Sequence, residues 1–396
     1  MKRFKKQLEK FIEGVLFTSS TVTVITVLFI ILFLFKEGLG IFNSSPIEQH
    51  YCIFVNGNNP VKEIKSRQIR DIFNGKTTNW KDIGGKNDSI ILLNINEIAK
   101  YYSEDQIGSN FEHLPARIEE FVTSHPGVLA YFPESFSPQN NKVRKIPVSK
   151  VSVKEFILGR EWFPTSTPIA LFGALPLILG TLLVSIGAIL LALPIGLVTA
   201  VYMSEVADER FRRIMKPVIE LLAGIPSVVY GFFGLVVLVP LIQKTFNLPV
   251  GETALAGSII LAIMALPTII TVSEDALQTT PQSLKEASFA LGANRWQTLV
   301  RVVIPYAKSG ITAASILGIA RAVGETMAVL MVTGNAAVMP TSFLQPIRTI
   351  PATIAAELGE SSFGGTHFKA LFALGIILFI ITMGFNFIVD SMRPKK

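Results

Sequence analysis

Six stretches of this chain are apolar over lengths that suit a lipid bilayer better than a soluble core. A helix needs about twenty predominantly apolar residues to cross the hydrocarbon layer. Residues 15–35, 172–203, 218–242, 254–276, 311–334 and 368–392 each reach that length. The stretch 172–203 exceeds one straight crossing, but Pro176 and Pro194 offer bends and tilt absorbs the rest. Read as one span, it completes an all-α polytopic membrane protein with six transmembrane helices. Half of the 396 residues are hydrophobic and 16% are charged, against about 25% charged in an ordinary soluble domain. The run 15–35 is longer than the 7–15 residues of a signal h-region and no small-residue cleavage site follows it, so it reads as an uncleaved first span.

Lysine and arginine set the expected orientation. The first ten residues hold five, loop 204–217 holds four, loop 277–310 holds four, and the tail holds three (Arg393, Lys395, Lys396). The two short loops on the opposite side offer only Lys244 and Arg348. Both termini and loop 277–310 are therefore expected in the cytosol. The long polar block 37–167 is then extracytoplasmic, since long domains translocate largely regardless of charge. This clustering beside spans also explains the net charge of +7 without nucleic acid. The lone Cys52 excludes an intrachain disulfide, and His50, His113, His125 and His367 lack metal-ligand spacing. No nucleophile–base pair appears in a span, so no catalytic residue and no metal is expected.

Of the 36 basic residues, Arg321 alone lies near the middle of a span, where a guanidinium costs at least about 2.5–3.5 kcal/mol to insert. Glu325 follows in Ala320-Arg321-Ala322-Val323-Gly324-Glu325-Thr326. Helical continuity would put the two side chains on one face at i, i+4, and Gly324 would permit close approach of a helix or ligand. A structural ion pair is one reading. An anion pathway is the other, with the arginine fork offered to an oxyanion and held weakly enough to release it. Glu220, Pro226 and Ser227 in Glu220-Leu221-Leu222-Ala223-Gly224-Ile225-Pro226-Ser227 form a candidate gating segment. Glu220 is placed there at the start of a span and Pro226 at a kink.

Between two spans lies Glu286-Ala287-Ser288-Phe289-Ala290-Leu291-Gly292, running on to Ile304-Pro305. The pattern predicts a short helix, a turn at Gly292 and a second amphipathic run ending at Pro305. This resembles the EAA loop of ABC importer permeases, which docks on a cytosolic ATPase; the resemblance assigns coupling to Glu286, Ala287, Gly292 and Pro305. The run from Glu220 to Gly234 and the run Gly318–Val329, followed by Gly334-Asn335, are similar to PstC-type phosphate permeases over residues 1–36 and 168–396. That resemblance implies a type I importer with the MetI-like permease fold and implicates Arg321 and Glu325, with Gly324, in phosphate transport. It also implies a PstA-like permease partner, a PstB-like ATPase dimer, a PstS-like phosphate-binding protein and surrounding membrane lipid. The chain has no G-x-x-x-x-G-K-[ST] loop, since Arg70 occupies the first glycine position before Gly75-Lys76-Thr77. It needs no cofactor of its own, and ATP is expected on the partner.

The domains read as 1–36 (N-terminus and first span), 37–167 (an inserted α/β block) and 168–396 (a five-helix core with coupling loop 277–310). The insertion resembles part of a PstS-like lobe through Asn59-Pro60, Ile69 to Trp80, Gly84-Gly85 and His125-Pro126-Gly127-Val128-Leu129-Ala130-Tyr131. Where such a lobe would cradle phosphate, this chain has Ile91-Leu92-Leu93-Asn94-Ile95-Asn96-Glu97, so the insertion is not expected to bind phosphate. The expected function is the permease subunit of an ATP-driven phosphate importer in the bacterial inner membrane, not an enzyme. The alternatives are a phosphate-sensing scaffold signalling to a kinase, or a permease for molybdate or sulfate.

Overall fold

The structure, a computed structural model, describes the backbone of residues 2–48, 50–138 and 142–391, with side chains in those ranges from 10 to 387. Met392 and the basic tail lie outside the described residues, as do the side chains of Lys2, Arg3, Lys5 and Lys6. The chain divides into two units: Met1–Gly38, Ala174–Ser362 and Leu371–Lys396 form one, and Leu39–Gly173 with Phe363–Ala370 forms the other.

The first unit is helical. Among the described residues six helices are long and apolar enough to cross a membrane: Lys10–Asn43, Leu175–Val206, Ser227–Phe246, Ala254–Gln278, Arg295–Gly324 and Thr366–Phe387, spans 1 to 6 below. Span 4 is the most buried and packs chiefly between spans 2 and 5. Small residues make that closeness possible, as they do wherever membrane helices touch without a hydrophobic driving force. A Cβ on Gly187 would strike the Ser258 hydroxyl, one on Gly257 would strike Thr333, and one on Gly318 would strike Ile269. Ser258 Oγ donates to its own helix at Ala254 O (2.8 Å), so the hydroxyl is satisfied inside the bundle. Span 1 contributes nothing buried over its most apolar window. Its C-terminal end meets span 6 through the edge-on pair Phe33–Phe372, with centroids 5.4 Å apart.

Among the described residues three turns of π-helix interrupt the regular ladders, at Tyr202–Val206, Gly234–Leu238 and Leu299–Val303. Two have an evident cause. A proline clashes with the carbonyl four residues back and cannot donate to it. For Pro240 and Pro305 that carbonyl belongs to Val236 and Arg301, each inside a π-turn. Widening the helix there absorbs the clash.

The second unit is α/β. Strands β1 (Tyr51–Asn56), β2 (Ile91–Leu93), β3 (Val128–Pro133) and β4 (Val143–Ile146) form one sheet in the order β2-β3-β1-β4. β2 runs parallel to β3, while β1 is antiparallel to both of its neighbours. β1 and β3 are buried on both faces, as a central strand pair covered by helices should be. One face carries Ile69, Ile72 and Trp80, the other Leu114, Ile118 and Phe121. Trp80 is fully buried and its indole donates to Gly127 O at 2.8 Å. A separate hairpin pairs β5 (Trp162–Phe163) with β6 (Leu171–Phe172).

Candidate functional site

Spans 4 and 5 are joined by a helix, Gln282–Ala290, and a turn. Gly292 makes the turn at φ +83°, a left-handed conformation open to glycine without a steric penalty. Asn294 then caps span 5: its Oδ1 accepts from Gln297 N at 2.8 Å, and Gln297 Oε1 accepts from Asn294 N at 2.9 Å. This reciprocal box satisfies two of the N–H groups that every helix start leaves orphaned. Glu286, Ala287 and Gly292 all face out, beside Leu291 at 90% exposure and Trp296 at 69%. An apolar patch of this kind rimmed by charge marks an interaction surface.

The inner side of this helix is tied down. Lys285 Nζ lies 2.7 Å from Glu205 Oε1 with both side chains about five-sixths covered, and the Ser288 and Thr298 hydroxyls are 2.9 Å apart. Glu205 sits in the π-turn that ends span 2, so the exposed surface is coupled to a membrane helix through one ion pair. Pro305 corrects the sequence reading. The second run does not end there but continues through the Leu299–Val303 π-turn into span 5. Pro305 therefore lies within the continuous helix, away from Glu286, Ala287 and Gly292.

Arg321 and Glu325 are also placed differently. The helix stops at Gly324, and Glu325 is extended at φ −70°, ψ 132°, so the two residues do not share a helix face. Arg321 occupies the last turn, where unpaired carbonyls and the helix dipole favour a cation. It makes no hydrogen bond or salt bridge with a described residue, and its charge is felt at Tyr230. Glu325 serves the next helix, Met327–Val332: its Oε1 accepts from Ala328 N at 3.4 Å. Each charge is thus compensated by a helix terminus of opposite sign. Gly324 between them has nothing within 4 Å of where a Cβ would stand. With Thr326, Pro351, Ile354, Leu358 and Leu378 it lines an open cleft of about 470 Å³.

The third predicted group is rearranged as well. Glu220 is exposed, near the C-terminal end of a separate helix Glu209–Ala223; it does not start span 3. Pro226 does not kink that span. Gly224, Ile225 and Pro226 break the chain, and Ser227 is the first residue of the new helix. Glu220 is therefore apart from Ser227 and sits at the end of its helix where a carboxylate gains nothing from the dipole. The residue that holds this helix to the bundle is Lys216. It reaches Asp275 at 2.8 Å and the almost fully buried Glu274 at 3.2 Å, and these two carboxylates raise its ammonium above the ordinary lysine value. Charges near span ends were visible in the sequence, but nothing there paired Lys216 with Glu274 or Lys285 with Glu205. Among the described residues no cluster of three or more His, Cys, Asp or Glu side chains could hold a metal.

Residues 192–395, which include the capped turn and the Arg321 break, match the family model described as the binding-protein-dependent transport system inner membrane component. The chain belongs to this family. It is 43% identical over 249 residues to a probable ABC transporter permease protein, YqgH, of Bacillus subtilis, over 63% of this chain and 80% of that one. It is 40% identical over 246 residues to the phosphate transport system permease protein PstC of Mesorhizobium japonicum, over 57% and 74% respectively. A chain of the MetNI methionine ABC transporter in an inward-facing conformation is 21% identical with a TM-score of 0.41, covering 56% of this chain and 95% of that one. The permease is thus a multi-pass inner-membrane component of an ABC importer rather than an enzyme, and works with a separate ATPase and a substrate-binding protein.

Proposed function

We propose that this permease is the PstC-type subunit of an ATP-driven phosphate importer, with Arg321 lining the anion pathway. The observation that carries this reading is the unpaired guanidinium of Arg321 at a helix terminus inside the membrane unit. A charge so costly to place in a bilayer and left without a salt bridge to any described residue has a function to perform on a transient anion. Relatives named as phosphate permeases supply the anion's identity. Glu325 acts by capping the following helix and fixing the position of the break, and Gly324 leaves room beside it.

In this reading both termini and the Gln282–Ala290 helix are cytosolic and the α/β unit is extracytoplasmic. Glu286, Ala287, Leu291 and Trp296 meet a PstB-like ATPase dimer, where ATP binds. A PstA-like permease completes the membrane pair and a PstS-like protein delivers phosphate. The insertion does not cradle phosphate as a binding protein would. At the start of helix Ile95–Ile98 the amides of Asn96 and Glu97 are already taken by Asn94 Oδ1, at 2.9 and 3.0 Å, so these two are not offered to an anion.

The test is radiolabelled phosphate uptake in cells expressing Arg321→Ala at wild-type membrane abundance. Uptake should fall by at least about tenfold, the equivalent of one charge-assisted contact. Normal uptake with altered phosphate signalling would favour a sensing scaffold. Equal competition by sulfate or molybdate would reassign the anion.

A further inference from the structure

The α/β unit contains a groove of about 750 Å³ bounded by three segments, with Lys65, Arg67 and Arg70 on one, Lys150, Lys154 and Arg160 on the second, and the uncharged Leu171, Phe172 and Gly173 on the third. Two carboxylates, Glu155 and Glu161, oppose these six cations. Arg70 is neutralised by Glu161 and Asp71. The other five form no salt bridge with a described residue.

The floor beneath them is rigid. Phe156 and Trp162 are buried, and edge-on contacts join Phe42, Phe156, Trp162 and Phe172 at 5.9 to 6.3 Å. Gly159 and Gly173 touch backbone to backbone, so a Cβ on either would overlap the other's main chain. Gly173 N also donates to Glu161 O at 2.8 Å. Arg67, Arg70 and Lys154 stand on the helices Ser66–Phe73 and Val153–Leu158, and Lys65, Lys150 and Arg160 on the segments that flank them. Five unpaired like charges around one concavity repel one another, and that cost is recovered when a polyanion occupies the space.

We propose that this groove binds an oligophosphate, a linear chain of phosphoryl groups or the phosphoryl groups of an anionic headgroup. The volume lies in the range of small-molecule sites and is roomy for a single oxyanion. Arginine forks match phosphoryl oxygens two at a time, and lysines serve as point charges around them. The charge excess suits a ligand with several negative charges in a short length. The site is distinct from the Arg321 pathway, which belongs to the other unit.

The experiment is calorimetric titration of the full chain in phosphatidylcholine nanodiscs with sodium tripolyphosphate, with citrate as comparator. Saturable binding is expected, weakening as salt rises. The double variant Lys150→Gln/Lys154→Gln should bind at least about tenfold more weakly, near 1.4 kcal/mol, whereas Lys81→Gln, exposed elsewhere on the unit, should match the wild type. Glu155→Gln should bind more tightly, a gain that a misfolded protein cannot produce. Arg321→Ala should leave the titration unchanged, so loss of the transport reading and loss of this one are separable. In phosphatidylglycerol nanodiscs, unchanged tripolyphosphate affinity identifies a free oligophosphate as the natural occupant, and weakened affinity identifies a lipid headgroup. No saturable binding, equal binding of citrate, or indifference to the lysine double variant would overturn the proposal.

Discussion

Lys285 and Glu205, eighty positions apart in the chain, form a largely covered ion pair of 2.7 Å between the Gln282–Ala290 helix and the end of span 2. Removing one partner leaves a partly buried charge alone, at a cost of about 1–3 kcal/mol, below the value for full burial because some solvent remains. Lys285→Met and Glu205→Gln should each lower uptake several-fold, and the exchanged pair Lys285→Glu/Glu205→Lys should recover part of it. A double-mutant cycle on uptake and thermal midpoint checks this; additive losses would mean that the contact carries no coupling.

Gly292 has open space where a side chain would go, so substitution tests backbone conformation alone. Gly292→Ala should destabilise by about 1 kcal/mol, and Gly292→Asn by less, because asparagine visits the left-handed region more readily. Thermal unfolding of the purified protein measures the first effect. Stimulation of the partner ATPase by the reconstituted complex measures whether the turn sets the angle of the docking surface.

Pro305 explains the π-turn at Leu299–Val303, so Pro305→Ala should let the turn relax to an ordinary helix. Losing one extra residue from the turn rotates everything upstream by about 100° relative to span 5. The Trp296 side would then face differently. Reduced coupling with unchanged thermal stability is the expected result, and altered labelling of a cysteine introduced at Gln297 reports the rotation.

Burial raises the Glu155 carboxyl above its ordinary value of 4.5, against the opposing pull of Lys65 and Arg67. The folded chain therefore takes up this proton at a pH where the unfolded chain has already lost it, and stability falls as pH rises through that window. Glu155→Gln should unfold at a higher temperature than wild type near neutrality, with the difference vanishing below pH 4.5. A gap that persists in acid would assign the effect to packing.

Apolar length alone made the six spans legible, and Gly292 announced its turn because only glycine is free of strain there. The errors share a physical origin. Met327 to Val332 continues the apolar run after Glu325, so hydropathy placed one helix across a break that is set by local capping. Pro226 signalled a disturbance but not its size, since a proline can bend a helix or start a new one. Pro305 read as a terminus because the sequence does not reveal that a widened turn tolerates it. The pairs Lys285–Glu205 and Lys216–Glu274 depend on which helix ends become neighbours, and no local pattern encodes that. The basic groove was hidden for the same reason, its cations being drawn from segments some eighty-five residues apart.

The discontinuity at Glu325 has a mechanical corollary. A rigid rod running from Arg295 to Val332 would transmit any tilt of its Arg295 end in full. Two levers meeting at a swivel do not, because the extended backbone of Glu325 belongs to neither helical ladder, whereas Thr326 O already accepts from Leu330 N. The guanidinium rides on the tip of the longer lever, so a modest stroke at the Trp296 end would sweep it sideways while the shorter piece stays packed against its neighbours.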